Sequence, residues 1–139
     1  MLKDCTSISG QLSIERSRFI ETLTLPNLVS VGDDLRFQDN TELQHYTLPN
    51  LASIGDGFVM MGNPALVSFE LPNLSNITGL LLVTNNNTLP TCLVDPVFLE
   101  QLNGAPDNTV VNGNRDACTC EAGDAGMLTV SCENTDASE

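Results

Sequence analysis

Apolar residues return along this chain at a fixed step of 23 positions. Val31, Ile54 and Ile77 form one column at that step. Leu35, Phe58 and Leu81 form a second, Phe37, Met60 and Val83 a third, Leu43, Leu66 and Leu89 a fourth, and Tyr46, Phe69 and Cys92 a fifth. Within each step the pairs Leu35/Phe37, Phe58/Met60 and Leu81/Val83 lie two apart, the spacing at which a strand turns alternate side chains to one face. Pro, Gly, Asn and Asp fill the intervening segments, where they break helices and make corners. A constant period of this size predicts a solenoid whose coils bury their interiors against one another. Shifting back once more finds a degenerate first coil, with Cys5 in the Leu28 place, then Ile8, Leu12, Ile14, Ile20 and Leu23. The expected fold is all-β: a short parallel β-helix of four 23-residue coils in one register.

The same step repeats a tetrapeptide, Leu-Pro-Asn-Leu, at 25–28, 48–51 and 71–74. Proline lacks the N–H that a ladder needs, so it is expected to end a strand at a corner. Asn27, Asn50 and Asn73 then stack, and Asn40, Asn63 and Asn86 make a second column. Asparagine tolerates corner geometry and bonds its neighbour in the next coil, so both columns read as structural. Gly32, Gly55 and Gly79 mark another corner.

After the fourth coil the pattern changes. DPVFLEQLNG predicts a capping helix over about 95–103, with Asp95 as N-cap, Pro96 at N1 and Gly104 past the end. Thr109–Asn114 then resumes the coil pattern, with Val111 in the Val83 column and Asn114 in the Asn86 column, and is expected to add a last strand. Cys92 and Cys118 flank this unit and are placed to tie it shut, leaving Cys120 and Cys132 as a second pair. On this reading residues 1–118 form the solenoid domain and 119–139 an acidic, cysteine-containing tail.

Composition narrows the function. Eighteen acidic and five basic residues give a net charge of −13, which argues against nucleic acid and anionic lipid as partners. Scarce aromatics and the absence of tryptophan argue against a stacking surface for sugars or bases. The five cysteines lack the spacing of a zinc site and read as disulfide formers in an oxidising compartment. No apolar run reaches the roughly 18 residues of a membrane span. The odd cysteine and the missing leader point to a fragment of an extracellular or cell-surface protein.

DCTSISGQLSI, the LPNL…IG…L.F..N..L coils and NNNTLPTCLVDPVFLEQL…NTVVNGNRDACTC together resemble the receptor L domain. This is the leucine-rich-repeat-like β-helix of insulin and epidermal growth factor receptor ectodomains, with relatives in fungal cell-wall and secreted microbial proteins. The resemblance covers about residues 4 to 120. It implies a right-handed coil, a non-catalytic binding or scaffolding role outside the cell, no cofactor, and a partner for Cys5 on an upstream segment. It also implies that a sheet face meets the partner, a protein or a cell-surface or wall ligand, or a neighbouring L domain. The outward positions of that face are Ser13 and Glu15, Arg36 and Gln38, Val59 and Met61, and Leu80 and Leu82, with Val110 following in the cap strand. Arg36, Val59, Met61, Leu80 and Leu82 are the candidate partner-binding residues, and an apolar patch of this kind marks either a contact surface or internal packing under a cover.

Other chemistry is thinner. Asp33, Asp34 and Asp56 share a corner, but a calcium site needs six or more oxygens, so a solvated corner is the expectation. His45 lies in a polar column with Thr22, Ser68 and Thr91 and reads as a surface residue. No catalytic or metal-ligating set is expected. A structural component of a wall or envelope is the alternative function, and a polysaccharide-active β-helix enzyme a weaker one. Glycosylation sequons start at Asn73, Asn76 and Asn86. The stacked columns are expected to occlude Asn73 and Asn86, leaving Asn76 as the candidate for modification.

Overall fold

The computed structural model describes residues 4–94, 98–102, 106, 108–122 and 128–132. Each of the first three coils lays down three short strands. They are β1 (Ser7–Ile8), β2 (Leu12–Glu15) and β3 (Thr22–Thr24); β4 (Ser30–Val31), β5 (Leu35–Gln38) and β6 (His45–Thr47); and β7 (Ser53–Ile54), β8 (Phe58–Met61) and β9 (Ser68–Glu70). A fourth coil contributes β10 (Asn76–Ile77) and β11 (Leu81–Thr84). At its third position, the Cys92 place in the Tyr46 and Phe69 column, it makes a 3-10 turn, Thr91–Leu93, instead of a strand.

The strands stack into three parallel sheets, in the orders β1-β4-β7-β10, β2-β5-β8-β11 and β3-β6-β9. Pairing is in register at the 23-residue step: Leu35 meets Phe58, Phe58 meets Leu81, and Tyr46 meets Phe69. The five columns predicted from sequence are therefore the inward faces of the coils. Leu35, Phe37, Leu43, Tyr46, Ile54, Phe58, Met60, Leu66, Leu81, Val83 and Leu89 are all fully buried.

The corners explain the repeated residues. Leu48 still donates its N–H to Glu70, one coil on, and Leu51 N–H closes a turn on the Leu48 carbonyl, so the proline between them sits where no ladder bond is required. Asn50 and Asn73 donate through Nδ2 to the carbonyls of Pro26 and Pro49, each 2.6 Å away. This column thus stacks through proline carbonyls, not amide to amide. At the second corner a Cβ on Gly55 would run into the carbonyl oxygen of Gly32 below it, and one on Gly32 into that of Ser9. Close backbone approach therefore demands glycine there.

A third corner escaped the sequence reading. Arg16, Asp39, Gly62, Asn85 and Gly113 all adopt positive φ, immediately after the strands of the central sheet. The last four turn the chain into the second asparagine column, and Arg16 turns it into Ser17, which holds that place in the first coil.

The C-terminal segment closes the stack. A short helix, α1 (Leu99–Gln101), is the described part of the predicted capping helix. Asp95, Pro96, Val97 and Gly104 lie outside the described residues. Phe98 packs edge-on against Phe58 and Phe69 at centroid distances of 6.0 and 5.5 Å. Strand β12 (Thr109–Asn112) then joins β11 in parallel, with Val111 beside Val83 as expected, making the central sheet five-stranded. Finally β13 (Cys118–Ala122) and β14 (Leu128–Cys132) pair as an antiparallel hairpin.

The hairpin corrects the disulfide pairing. Cys118 and Cys132 are direct cross-strand partners and bond to each other. Cys120, two residues along the same strand, reaches back to Cys92 in the 3-10 turn. Spacing along the chain favoured Cys92 with Cys118, but the register of β13 on β14 decides otherwise.

Tyr46, the single tyrosine, is wholly buried: it stacks on Phe37 at 4.1 Å and donates its hydroxyl to the Met60 sulfur. Burial penalises the phenolate and raises its pKa well above 10.0. A group whose folded pKa is raised contributes stability below its unfolded pKa and loses it as pH rises towards the folded one. The chain should therefore lose about 1.4 kcal/mol per pH unit above roughly pH 10 from this residue. Ultraviolet phenolate absorbance should appear together with loss of the β circular dichroism signal, not before it.

Candidate functional site

Among the described residues the central sheet is the broadest, and its register fixes which outward side chains are neighbours. One outward row runs Ser13, Arg36, Val59, Leu82, Val110 across β2, β5, β8, β11 and β12. The adjacent row runs Glu15, Gln38, Met61, Thr84, Asn112. At a strand spacing of about 4.8 Å, Val59, Leu82 and Val110 form a continuous apolar stripe flanked by Met61.

The structure changes the membership of the expected contact set. Val59 is only 2% exposed, because its ladder partners Arg36 and Leu82 cover it on either side. Leu80 precedes β11 and stands beside Gly57, where an added Cβ would lie 3.7 Å from the Leu80 Cβ, next to the row and not within it. Thr84, not an apolar residue, is the partner of Met61, and it is buried. Met61, Leu80, Leu82 and Arg36 are partly exposed, and Val110, at the sheet edge, is 40% exposed. Solvent therefore meets an apolar strip of Met61, Leu80, Leu82 and Val110 with a cation at one side.

That cation is held in place. Arg36 donates from both Nε and Nη2 to Asp34 Oδ2, at 3.3 and 3.0 Å, while Asp34 Oδ1 accepts the N–H of Gly57 at 2.8 Å. Of the acidic corner residues considered for calcium, Asp34 thus spends both carboxylate oxygens on the protein. The arrangement orients the guanidinium along the sheet, with part of it in water.

A second polar cluster lies on the outward face of the three-stranded sheet. His45 Nδ1 and Ser68 Oγ are 2.6 Å apart, Nε2 is 2.9 Å from Thr47 Oγ1, and Nε2 is 3.2 Å from Glu70 Oε2. Sequence placed His45 with Ser68 in one column. It missed Thr47 and Glu70, which occupy the parallel column two residues on and were visible at the same 23-residue step. Serine, histidine and glutamate here occupy an open sheet face, and both ring nitrogens are engaged by hydroxyls. That is a surface hydrogen-bond network.

An apolar cavity of about 200 Å³ opens where the third coil meets the cap, lined by Phe69, Leu71, Pro72, Leu93 and Phe98 with Glu70 and Gln101. Gln101 closes its side by donating Nε2 to the carbonyls of Leu71 and Leu74, at 2.6 and 2.8 Å. The cavity follows from the 3-10 turn that replaces a fourth strand beside β9.

Among the described residues no three His, Cys, Asp or Glu side chains group as a metal site, and no helix is long and apolar enough to cross a membrane. The family model described as Receptor L domain matches residues 4–103. No curated protein and no solved structure matches the chain.

Proposed function

This chain belongs to the receptor L domain family, and from that premise we propose that it is a non-catalytic extracellular module that binds another protein or a cell-surface ligand through the outward face of its five-stranded sheet. The apolar strip of Met61, Leu80, Leu82 and Val110 carries the reading, because it is continuous and edged by the oriented Arg36 on a molecule of net charge −13. Val59, covered between Arg36 and Leu82 in the same row, fills the gap between them. Such a strip supplies the apolar centre of an interface, and Arg36 and Gln38 supply polar rim contacts. The two disulfides support a location in an oxidising compartment.

The test uses labelled chain on intact cells or wall preparations of the source organism. Leu82→Asp and Met61→Asp each place a charge in the strip without touching the inward columns. Each should weaken binding at least tenfold, about 1.4 kcal/mol, with the urea midpoint unchanged. If the midpoint falls while binding persists, the strip is internal packing and the reading fails.

A further inference from the structure

Three sequons begin at Asn73, Asn76 and Asn86, and the fold treats them very differently. Asn86 is fully buried, and its Nδ2 gives one hydrogen to the Met60 carbonyl and the other to Asn114 Oδ1. A sugar on that nitrogen would remove a hydrogen the core depends on. The hydroxyl of its sequon is also engaged, with Thr88 Oγ1 donating to Pro64 and Leu66 carbonyls. Asn73 is exposed, against the expectation from its stacked column, but its Nδ2 donates to the Pro49 carbonyl and its sequon hydroxyl, Ser75, is half-buried against the Ala52 carbonyl.

Asn76 differs in every respect. It is the exposed first residue of β10, with Ile77 next to it pointing inward. Its sequon threonine, Thr78, is also exposed. Among the described residues nothing bonds the side-chain amide of Asn76 or the hydroxyl of Thr78.

We infer that Asn76 carries an N-linked oligosaccharide. In the transfer, Asn76 Nδ2 attacks the anomeric carbon of an oligosaccharide carried on a lipid pyrophosphate, supplied with its transferase by the secretory pathway. The C–N bond forms, the anomeric C–O bond breaks, the pyrophosphate leaves with the electron pair, and one Nδ2 proton passes to a base. The amide keeps its second hydrogen, and no bond of the fold is lost. The glycan projects from a different sheet than Met61 and Leu82, so it leaves the proposed contact strip open. The inference rests on the extracellular reading only for its natural setting.

The test secretes the full chain from a glycosylating host behind a heterologous leader, so its result does not depend on whether the strip binds anything. Mass spectrometry before and after enzymatic deglycosylation should place one glycan at Asn76. Asn76→Gln and Thr78→Ala should both abolish the added mass, and Asn73→Gln should retain it. An unmodified secreted chain, or a glycan at Asn73 or Asn86, overturns the site.

Discussion

Asn63→Ala is expected to cost about 4 kcal/mol or more, a large part of the roughly 5–15 kcal/mol that holds a domain folded. Asn40, Asn63, Asn86 and Asn114 form a ladder through the core of the stack. Backbone N–H and Nδ2 of Asn40 both donate to Asn63 Oδ1, at 3.2 and 3.0 Å. Asn63 repeats this on Asn86, and Asn86 on Asn114, although that last step spans 28 residues instead of 23. The second Nδ2 hydrogen goes to the carbonyl of Ile14, Phe37, Met60 or Val83 in turn. Alanine at 63 strands two buried donors, the Asn40 N–H and one hydrogen of the Asn40 amide, and takes one of its bonds from the Phe37 carbonyl in β5. Each unpaired group costs about 1–3 kcal/mol, and a cavity adds to the total. Asn50→Ala loses one exposed bond and should cost about 1 kcal/mol or less. Urea unfolding followed by circular dichroism compares the two, and equal costs would refute the ladder as a unit.

Asn63→Asp sharpens the point, because it keeps the acceptor and deletes both donors. Its carboxylate would face the Phe37 carbonyl and Asn86 Oδ1 without water, so its folded pKa would rise above the unfolded value. Stability should then be recovered as the pH falls below about 4, where the unfolded side chain is also protonated, and be lost as the pH climbs. The wild-type ladder carries no charge and should show no such dependence.

The ladder was legible in sequence because one residue type recurs in one column, and so were the apolar columns. Even Asn114 could be placed, since Val111 precedes it at the coil's own spacing. The corner of positive φ was not, because Arg16, Asp39, Gly62, Asn85 and Gly113 satisfy one backbone requirement with four residue types. Arginine has none of the local side-chain bonding that lets Asn and Asp adopt this conformation. Val59 was read as exposed because alternation assigns a side chain to a face. Its exposure depends on what stands beside it, and Arg36 and Leu82 are both long enough to crowd it. The network at His45 needed two adjacent columns read together. In each case the missing information concerned neighbours across coils, which a repeat supplies only when every column is followed.

The Cys92–Cys120 bond should contribute about 3.5 kcal/mol, the loop-closure entropy for a separation of 28 residues. Its role in the folded state is specific. It clamps β13 to the 3-10 turn and closes the chain that carries Phe98, α1 and β12, the elements that cover Phe58, Phe69 and Val83. The Cys118–Cys132 bond instead joins residues already opposed in the hairpin ladder, and both belong to strands outside the three parallel sheets. The double variant Cys92→Ala/Cys120→Ala should therefore lower the stability of the solenoid by about 3–4 kcal/mol. It should also expose the apolar end of the stack, read as increased binding of a hydrophobic dye. Cys118→Ala/Cys132→Ala should loosen the hairpin and shift solenoid unfolding by under about 1 kcal/mol, because hairpin opening is a local event. Equal shifts in the two variants would mean that hairpin and solenoid unfold as one unit, and that β13 and β14 form part of the cap.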